Sequence, residues 1–314
     1  MNKKRRKIPV AFFRILEYES TIMDTAVSLI MDECGFKVPA GTKVLVKPNL
    51  VSSKNPLACT HPNVTVSLCR YLKDCGALIT VADSPGYGSA AQVSKAIGMT
   101  SGLERMGIKP RGLGRPVPLK LSFGETIGIS RDALETDMII NVPKFKAHEQ
   151  FLLTGAVKNL FGTVVGFRKA YAHTRFGEHP GWMEKMVIEV NRAMPVAFNL
   201  MDAVYPMHVT GPVSGKPYTM NLLAGAPNQY GLDTALYMLL GVSPKRVLLW
   251  KECARQKIFG YHPDHLKYVL EPPDNFDTKD FVLPEKLSPM EFESVRFVRG
   301  RIKSLLSRFN LNKG

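Results

Sequence analysis

The chain has 314 residues, of which 45% are hydrophobic and 22% charged. That balance fits a soluble globular protein with enough length for one large domain or two lobes. The net charge is +15, but Lys3, Lys4, Arg5, Arg6 and Lys7, with the stretch from Glu291 to Gly314, supply nine of those charges. The interior is therefore only mildly basic, and no nucleic-acid-binding body is indicated. No uncharged apolar run reaches the roughly 18 residues a membrane span needs. Arg14, Glu17 and Glu19 interrupt the apolar residues next to the basic start, so no signal peptide is expected.

In chain order, the pattern predicts a strand from Ile8 to Ile15. A helix capped at Ser20 or Thr21 should run to Glu33, with Gly35 past its end. A strand from Lys43 to Lys47 stops at Pro48-Asn49. A helix from Asn63 to Asp74 precedes Gly76, and a strand from Leu78 to Ala82 ends at Asp83-Ser84-Pro85-Gly86. Short helices are expected at 89–97 and 101–106. A buried strand should occupy 138–142, with helices at 150–160 and 182–193. Strands come next at 196–201, 222–224 and 246–249, with a helix at 230–240 between the last two. This alternation predicts an α/β fold with a mainly parallel sheet flanked by helices. The expected organisation is a single α/β domain, as one body or two lobes, over 1–285. A basic amphipathic tail covers 286–314, its apolar stripe running from Phe292 through Val295, Val298 and Ile302 to Phe309.

Several polar motifs fall immediately after predicted strands: Lys47-Pro48-Asn49, Asp83-Ser84, Asn141-Val142-Pro143-Lys144, and Asp202. In open α/β sheets the ligand crevice lies outside the carboxyl ends of the strands. Pro, Gly, Asn and Asp end strands everywhere, but that does not account for Lys47, Lys144 and Lys146 among them. Beyond Pro143, Lys144, Lys146 and His148 alternate with Phe145 and Ala147. If that piece is extended, its three basic side chains share one face. Such crowded cations favour a bound anion or a metal-bound ligand that compensates them.

Thr154 and Lys158 should share a helix face. Asn159 and Gly162 then allow a tight return, and Arg168, Lys169 and His173 lie on a loop able to close over an anion. His61, near a helix start, would be held neutral by the helix dipole and able to act as base or ligand. The turn Pro85-Gly86-Tyr87-Gly88 can cradle a phosphate, although it matches neither common phosphate-loop pattern. Asp83 and Asp202 are the candidate metal ligands, and Asp233 is either a neighbour of the same crevice or a helix-start acid. The five cysteines show no C-x-x-C pair, so no iron–sulfur motif is present. A site built from Cys59, Cys69 and Cys75 is the alternative to plain reduced core thiols. The cysteine usage fits a cytoplasmic setting, with membrane association through the basic termini as an option.

Together these motifs resemble the family catalogued as domain of unknown function 362, over about residues 40 to 250. The matching stretches are Val44–Leu50, Thr60–Pro62, Asp83–Gly86, Ile140–His148, Gly155–Gly162, Lys169 and His173, Asp202–Val204 with Gly211–Gly215, and Leu223–Asp233. The resemblance implies an α/β fold more than a reaction. Many members carry a ferredoxin-like segment with cysteine clusters, so an iron–sulfur protein is a conceivable partner. The lysine–histidine strand before a glycine-rich helix is also similar to nickel-pincer lactate racemases, in which a lysine and histidines hold the cofactor.

The function expected from these residues is an enzyme acting on a small carboxylate or phosphate by redox or proton-transfer chemistry, with a metal ion as an optional aid. Lys47, Asn49, Ser84, Lys144, Lys158 and Asn159 would bind substrate, while His148, Lys146, His61 and His173 would carry the chemistry. The alternative is a non-catalytic module for a phosphorylated or nucleotide-like ligand.

Overall fold

The computed structural model describes residues 7–289. The first strands and helices are β1 (Ile8–Arg14), α1 (Ser20–Glu33), β2 (Lys43–Pro48), α2 (Pro62–Asp74), β3 (Leu78–Asp83), α3 (Ala90–Ala96), α4 (Met99–Glu104) and β4 (Arg111–Gly112). A two-stranded hairpin, β5 (Pro116–Lys120) and β6 (Thr126–Ser130), leads through α5 (Arg131–Leu134) to β7 (Met138–Val142). Then come β8 (Lys144–His148), β9 (Leu152–Thr154), α6 (Ala156–Asn159), α7 (Arg168–Gly177), α8 (Trp182–Ala193) and β10 (Val196–His208). The remainder is β11 (Lys216–Pro217), β12 (Leu222–Ala226), α9 (Gln229–Leu239), α10 (Leu248–Arg255) and β13 (Leu266–Tyr268).

The main sheet runs β13-β1-β12-β10-β7-β2-β3-β4. β10, β7, β2, β3 and β4 are mutually parallel, whereas β12 runs antiparallel to both β1 and β10. The α/β class with a mainly parallel sheet is therefore as the sequence predicts. Alternation along each strand divides the core. Val44 and Val46 of β2 join the hydrophobic cluster that includes α1 and α2, while Leu45 joins the cluster beneath α8 on the opposite face. Ile140 and Ile139 of β7 divide the same way. Every second residue crossing the sheet is what a strand buried on both faces requires.

Four expectations are corrected. The predicted helix over 150–160 starts only at Ala156. Leu152 has a left-handed φ of 66°, and β9 pairs back onto β8 with Thr154 opposite Lys146 and Leu152 opposite His148. Thr154 and Lys158 thus do not share a helix. The run at 246–249 is the start of α10, because Leu249, Trp250 and Cys253 bury one helical face. A short apolar run does not distinguish the two states. The stretch holding Arg168, Lys169 and His173 is α7 rather than a loop. Finally, Asp202 does not end a strand. β7 and β8 are separated by Pro143, and β10 runs alongside both, so it continues for 13 residues with Asp202 at its middle.

The predicted tail falls mostly outside the described residues. The described part of it, Lys286–Pro289, returns to the body: the Ser288 N–H donates to Glu149 O at 2.8 Å, and the Gln150 amide donates to Pro289 O at 2.9 Å.

Candidate functional site, a cationic cavity at the carboxyl ends of β2 and β3

β8 is extended, and Lys144, Lys146 and His148 all line one cavity of about 740 Å³. Phe145, on the opposite face, lies in the apolar cluster with Leu153, Met201 and Leu236. The alternation of the sequence thus becomes a cationic face and an apolar face. The cavity opens where β2 and β3 end, at Lys47 and Asp83, and α6, α7 and the Pro212-Val213 turn complete its wall.

Its back is built from two buried ion pairs. Lys47 Nζ stands 2.8 Å from Asp83 Oδ1, and Lys144 Nζ stands 3.0 Å from Asp202 Oδ1. Asp83 also accepts the Leu50 N–H at 2.8 Å. Asp202 accepts the Tyr18 hydroxyl at 2.6 Å and the His61 N–H at 2.8 Å. Burial raises the Asp202 carboxyl, but the Lys144 charge and these hydrogen bonds outweigh it and hold the group below its ordinary range. Gly162 makes the first pair possible, because a Cβ there would stand 2.5 Å from Lys47 Nζ and 2.8 Å from Asp83 Oδ1.

Beneath them a polar row crosses the sheet. Lys47, Asn141 and Asn199 are neighbours in register on β2, β7 and β10. The Asn141 amide donates to Asn199 Oδ1 at 2.9 Å and to Ala156 O at 3.0 Å, and the Asn159 amide donates to Asn141 Oδ1 at 2.8 Å. This ladder fixes α6 against the sheet. Asp233 of α9 does the same from the other side, accepting the N–H groups of Ala156 at 2.6 Å and Val157 at 3.0 Å. Gly155 leaves the room that the Asp233 carboxylate occupies. Burial raises the Asp233 carboxyl to about 7 despite those two donors.

The front of the cavity is different. Lys146 donates to Asn49 Oδ1 at 2.6 Å and Ala58 O at 2.7 Å, both uncharged acceptors. Burial lowers it to about 8, with the Lys144 charge adding to the effect. Lys158 lies 4.9 Å from the Phe151 ring centroid and 4.6 Å from that of Phe161. Such contacts stabilise a cation by about 0.5–2 kcal/mol. They do not offset its burial and the repulsion of Lys169, Lys146 and Lys47, which together lower it to about 7. His148 accepts the Gln150 N–H on Nδ1 at 3.0 Å. A backbone N–H can only donate, so the neutral ring carries its proton on Nε2. Burial, then the charges of Lys158, His173 and Lys146, keep this ring neutral, well below the usual histidine range. Lys169 donates to Ser84 O, and His173 meets the Phe161 ring edge at 5.6 Å.

Of the residues singled out from the sequence, Lys47, Asn49, Asp83, Ser84, Lys144, Lys146, His148, Lys158, Asn159 and His173 line this one cavity. Asp202 and His61 do not line it. Asp202 stands behind Lys144. His61 caps α2, its Nδ1 accepting the Asn63 N–H at 3.2 Å, and its ring stacks on Tyr18 at 3.6 Å. Burial, with the Lys144 charge adding to it, outweighs the pull of Asp202 and lowers His61 to about 4. The two carboxylates considered as metal ligands each meet a lysine instead. Among the described residues no group of three or more His, Cys, Asp or Glu comes together as a metal site, and the five cysteines are free thiols. Sequence reasoning missed Tyr18, Phe151 and Phe161, which carry no polar signal at their positions. It gave Lys169 only a place on a closing loop, with no binding role of its own, although Lys169 stands four residues before His173 on what proves to be one helical face.

The family model described as "Domain of unknown function (DUF362)" matches residues 44–238, and the chain belongs to that family. The chain is 29% identical over 310 residues to the "Thylakoid-associated protein sll1697" of Synechocystis sp., with 96% of this chain and 95% of that protein covered. Among solved structures it is similar to the lactate racemase apoprotein from Thermoanaerobacterium thermosaccharolyticum, with a TM-score of 0.46 and 14% identity. That match covers 72% of this chain, which spans 55% of the length of that protein. Among the described residues no helix is long and apolar enough to cross a membrane.

Proposed function

We propose that this member of the family is an enzyme that binds a small carboxylate or phosphate in the cavity and acts on it by proton-transfer or redox chemistry. One observation carries this reading: the two buried carboxylates beside the cavity are already taken, while Glu149 at its rim is exposed and accepts the Thr210 hydroxyl at 2.7 Å. Asp83 and Asp202 neutralise Lys47 and Lys144, which leaves Lys146 and Lys158 facing the cavity with no carboxylate of their own. Lys146 is buried and Lys158 half-buried; cations withdrawn from water without a counter-charge are costly, and an anionic ligand would relieve that cost. In this reading Lys146 and Lys158 hold the anion, with Asn49 and Ser84 at its edge. Lys47, Lys144 and Asn159 position the wall. His148, neutral with its proton on Nε2, and His173 exchange protons with the substrate.

The test is calorimetric titration with inorganic phosphate and with small carboxylates, then proton NMR in deuterated water for exchange at carbon next to the carboxylate. Binding with exchange that depends on His148 supports the enzyme. Binding without turnover across a broad panel supports the non-catalytic module. Failure of every anion to bind would remove both.

A peripheral contact with anionic membrane, through the basic residues at either terminus, is a separate part of the proposal. The name of the cyanobacterial relative favours it. Co-sedimentation with anionic vesicles at low salt should occur with the full chain and weaken in a chain ending at Pro289.

A further inference from the structure

We propose that Lys158 is a nucleophilic amine that forms an iminium with a small anionic aldehyde or ketone, such as a 2-oxo acid, bound in the cavity. This rests on the reading that the cavity takes a small anion, and it names the substrate class and the covalent step.

The five lysines that line the cavity are not equivalent. Lys47 and Lys144 are each paired with a buried carboxylate, Asp83 and Asp202. Lys146 spends two of its protons on Asn49 Oδ1 and Ala58 O, and Lys169 donates to Ser84 O. Lys158 alone of the five makes no hydrogen bond or ion pair to a described residue. Its contacts are the faces of Phe151 and Phe161. An amine against apolar walls and beside other cations is the environment that favours the neutral, nucleophilic form. The low value of about 7 agrees with that geometry. The position is also fixed. Lys158 sits on α6, whose first N–H groups are tied to Asp233 and whose end is tied to the asparagine ladder. A nucleophile carried on a braced element is held in place for attack. Lys146 and Lys169, whose charges are among those acting on Lys158, supply a place for a carboxylate next to the reacting carbonyl.

The step balances without an oxidant or reductant. The lone pair of Lys158 Nζ adds to the carbonyl carbon and forms the C–N bond, while the carbonyl oxygen takes a proton. The resulting hydroxyl takes a second proton and leaves as water. Nitrogen, which bears two protons and no free pair after the addition, releases one of them, and the pair so freed forms the C=N bond as the water departs. Overall one amine, one carbonyl and one proton give one iminium and one water. The iminium draws electrons from the adjacent carbon, so a proton there becomes acidic enough for a neutral histidine, His148, to remove. This ties the covalent step to the proton transfer proposed above.

The experiment is reductive trapping of the full chain at pH 7 with glyoxylate, and separately pyruvate, in the presence of sodium cyanoborohydride. Peptide mass mapping then identifies the modified lysine. The expected result is a secondary amine at Lys158, formed at least about tenfold faster than at lysines of ordinary basicity, which are almost wholly protonated at this pH. Inorganic phosphate should slow the reaction. Lys158→Arg cannot form an imine, so it should give no adduct in the cavity. Mapping on the unaltered chain needs no variant to fold. Phosphate binding with no adduct at Lys158 from either probe, or with faster trapping at Lys146, overturns this inference and leaves the anion site standing. Absence of phosphate and pyruvate binding overturns the site reading, and this inference with it.

Discussion

The back and the front of the cavity use the same residue type for opposite ends. Lys47 and Lys144 each stand within 3.0 Å of a buried carboxylate and are locked by it. Lys146 and Lys158, two and fourteen residues along the chain from Lys144, meet only neutral oxygens or aromatic faces. A buried pair is worth little over an apolar substitute, yet it is destructive to break. A cation withdrawn from water without a carboxylate, fully as at Lys146 or in part as at Lys158, lowers stability and gains something only when an anion arrives. The paired lysines therefore belong to the architecture and the unpaired ones to binding. Sequence position does not separate them, since Lys144 and Lys146 differ by two residues on one strand face.

The largest effect should come from breaking the back. Asp202→Asn leaves Lys144 charged, fully buried and without a counter-ion, at a cost of roughly 3–5 kcal/mol. The melting temperature should fall on the order of 10 °C, as calorimetry would show. Asp83→Asn should fall less, because Asp83 lines the cavity and Asp202 does not. If Asp202→Asn melts like the parent, the architectural role of the pair is wrong.

The front should respond in the opposite sense. Lys158→Met places a flexible thioether between Phe151 and Phe161, where sulfur–aromatic contact is favourable. Stability should hold or rise, while phosphate affinity drops about ten- to a hundredfold, the worth of one charged hydrogen bond. Equal phosphate affinity would move the anion away from Lys158. Removing Lys146 is the less clean change, because Asn49 Oδ1 and Ala58 O would lose their donor.

Much of this was legible because strand alternation and strand ends are written in residue order. Lys47, Asp83 and the Lys144–Lys146–His148 face come from those two rules, and all of them line one cavity. Pairing was not legible. That Asp202 meets Lys144 depends on β10 running past the break at Pro143, a register fact that no local pattern carries. The helix expected over 150–160 failed for a similar reason: the hairpin partner of β9 is β8, and tertiary pairing overrode a helical spacing. His61 was placed correctly at a helix start, but stacking on Tyr18, 43 positions earlier in the chain, drew it away from the cavity wall.

Acidity sharpens the same contrast. Lys146 titrates near 8 in the fold and near 10.5 when unfolded. Between those values the unfolded chain holds a proton that the folded chain has lost, so this group makes stability rise with pH from about 8 to about 10.5. Lys158 adds the same slope from about 7 upward. Urea midpoints at pH 7 and pH 9 should therefore rise more for the parent than for Lys158→Met. Anion binding runs the other way. A bound anion favours the protonated amines, so phosphate affinity should decline as pH climbs past 7, by up to about tenfold per unit for each coupled proton. Asp202 behaves oppositely: its carboxyl is depressed, so its contribution is present above the ordinary carboxylate range and is lost as pH falls below it. A pH-independent phosphate affinity between 6 and 9 would mean that neither front lysine carries the anion.

The smallest effect tests whether His61 belongs to the back. Its Nδ1 caps α2 by accepting the Asn63 N–H, its own N–H serves Asp202, and its ring lies on Tyr18. Asparagine is among the best capping residues, and its backbone N–H is unchanged, so His61→Asn retains both hydrogen bonds. Only the stacking contact goes, about 0.5–1.5 kcal/mol for an aromatic pair. His61 is already neutral near pH 7, held down to about 4, so no charge is removed from the neighbourhood of Lys144. The variant should melt a few degrees lower at most, bind phosphate as the parent does, and keep the same pH dependence of binding and of proton exchange. The His148→Asn variant serves as its counterpart from the front: exchange should collapse there while melting moves little. A loss of exchange in His61→Asn with an intact fold would carry the chemistry across Lys144 to the back of the cavity, and the division between the two lysine sets would have to be redrawn.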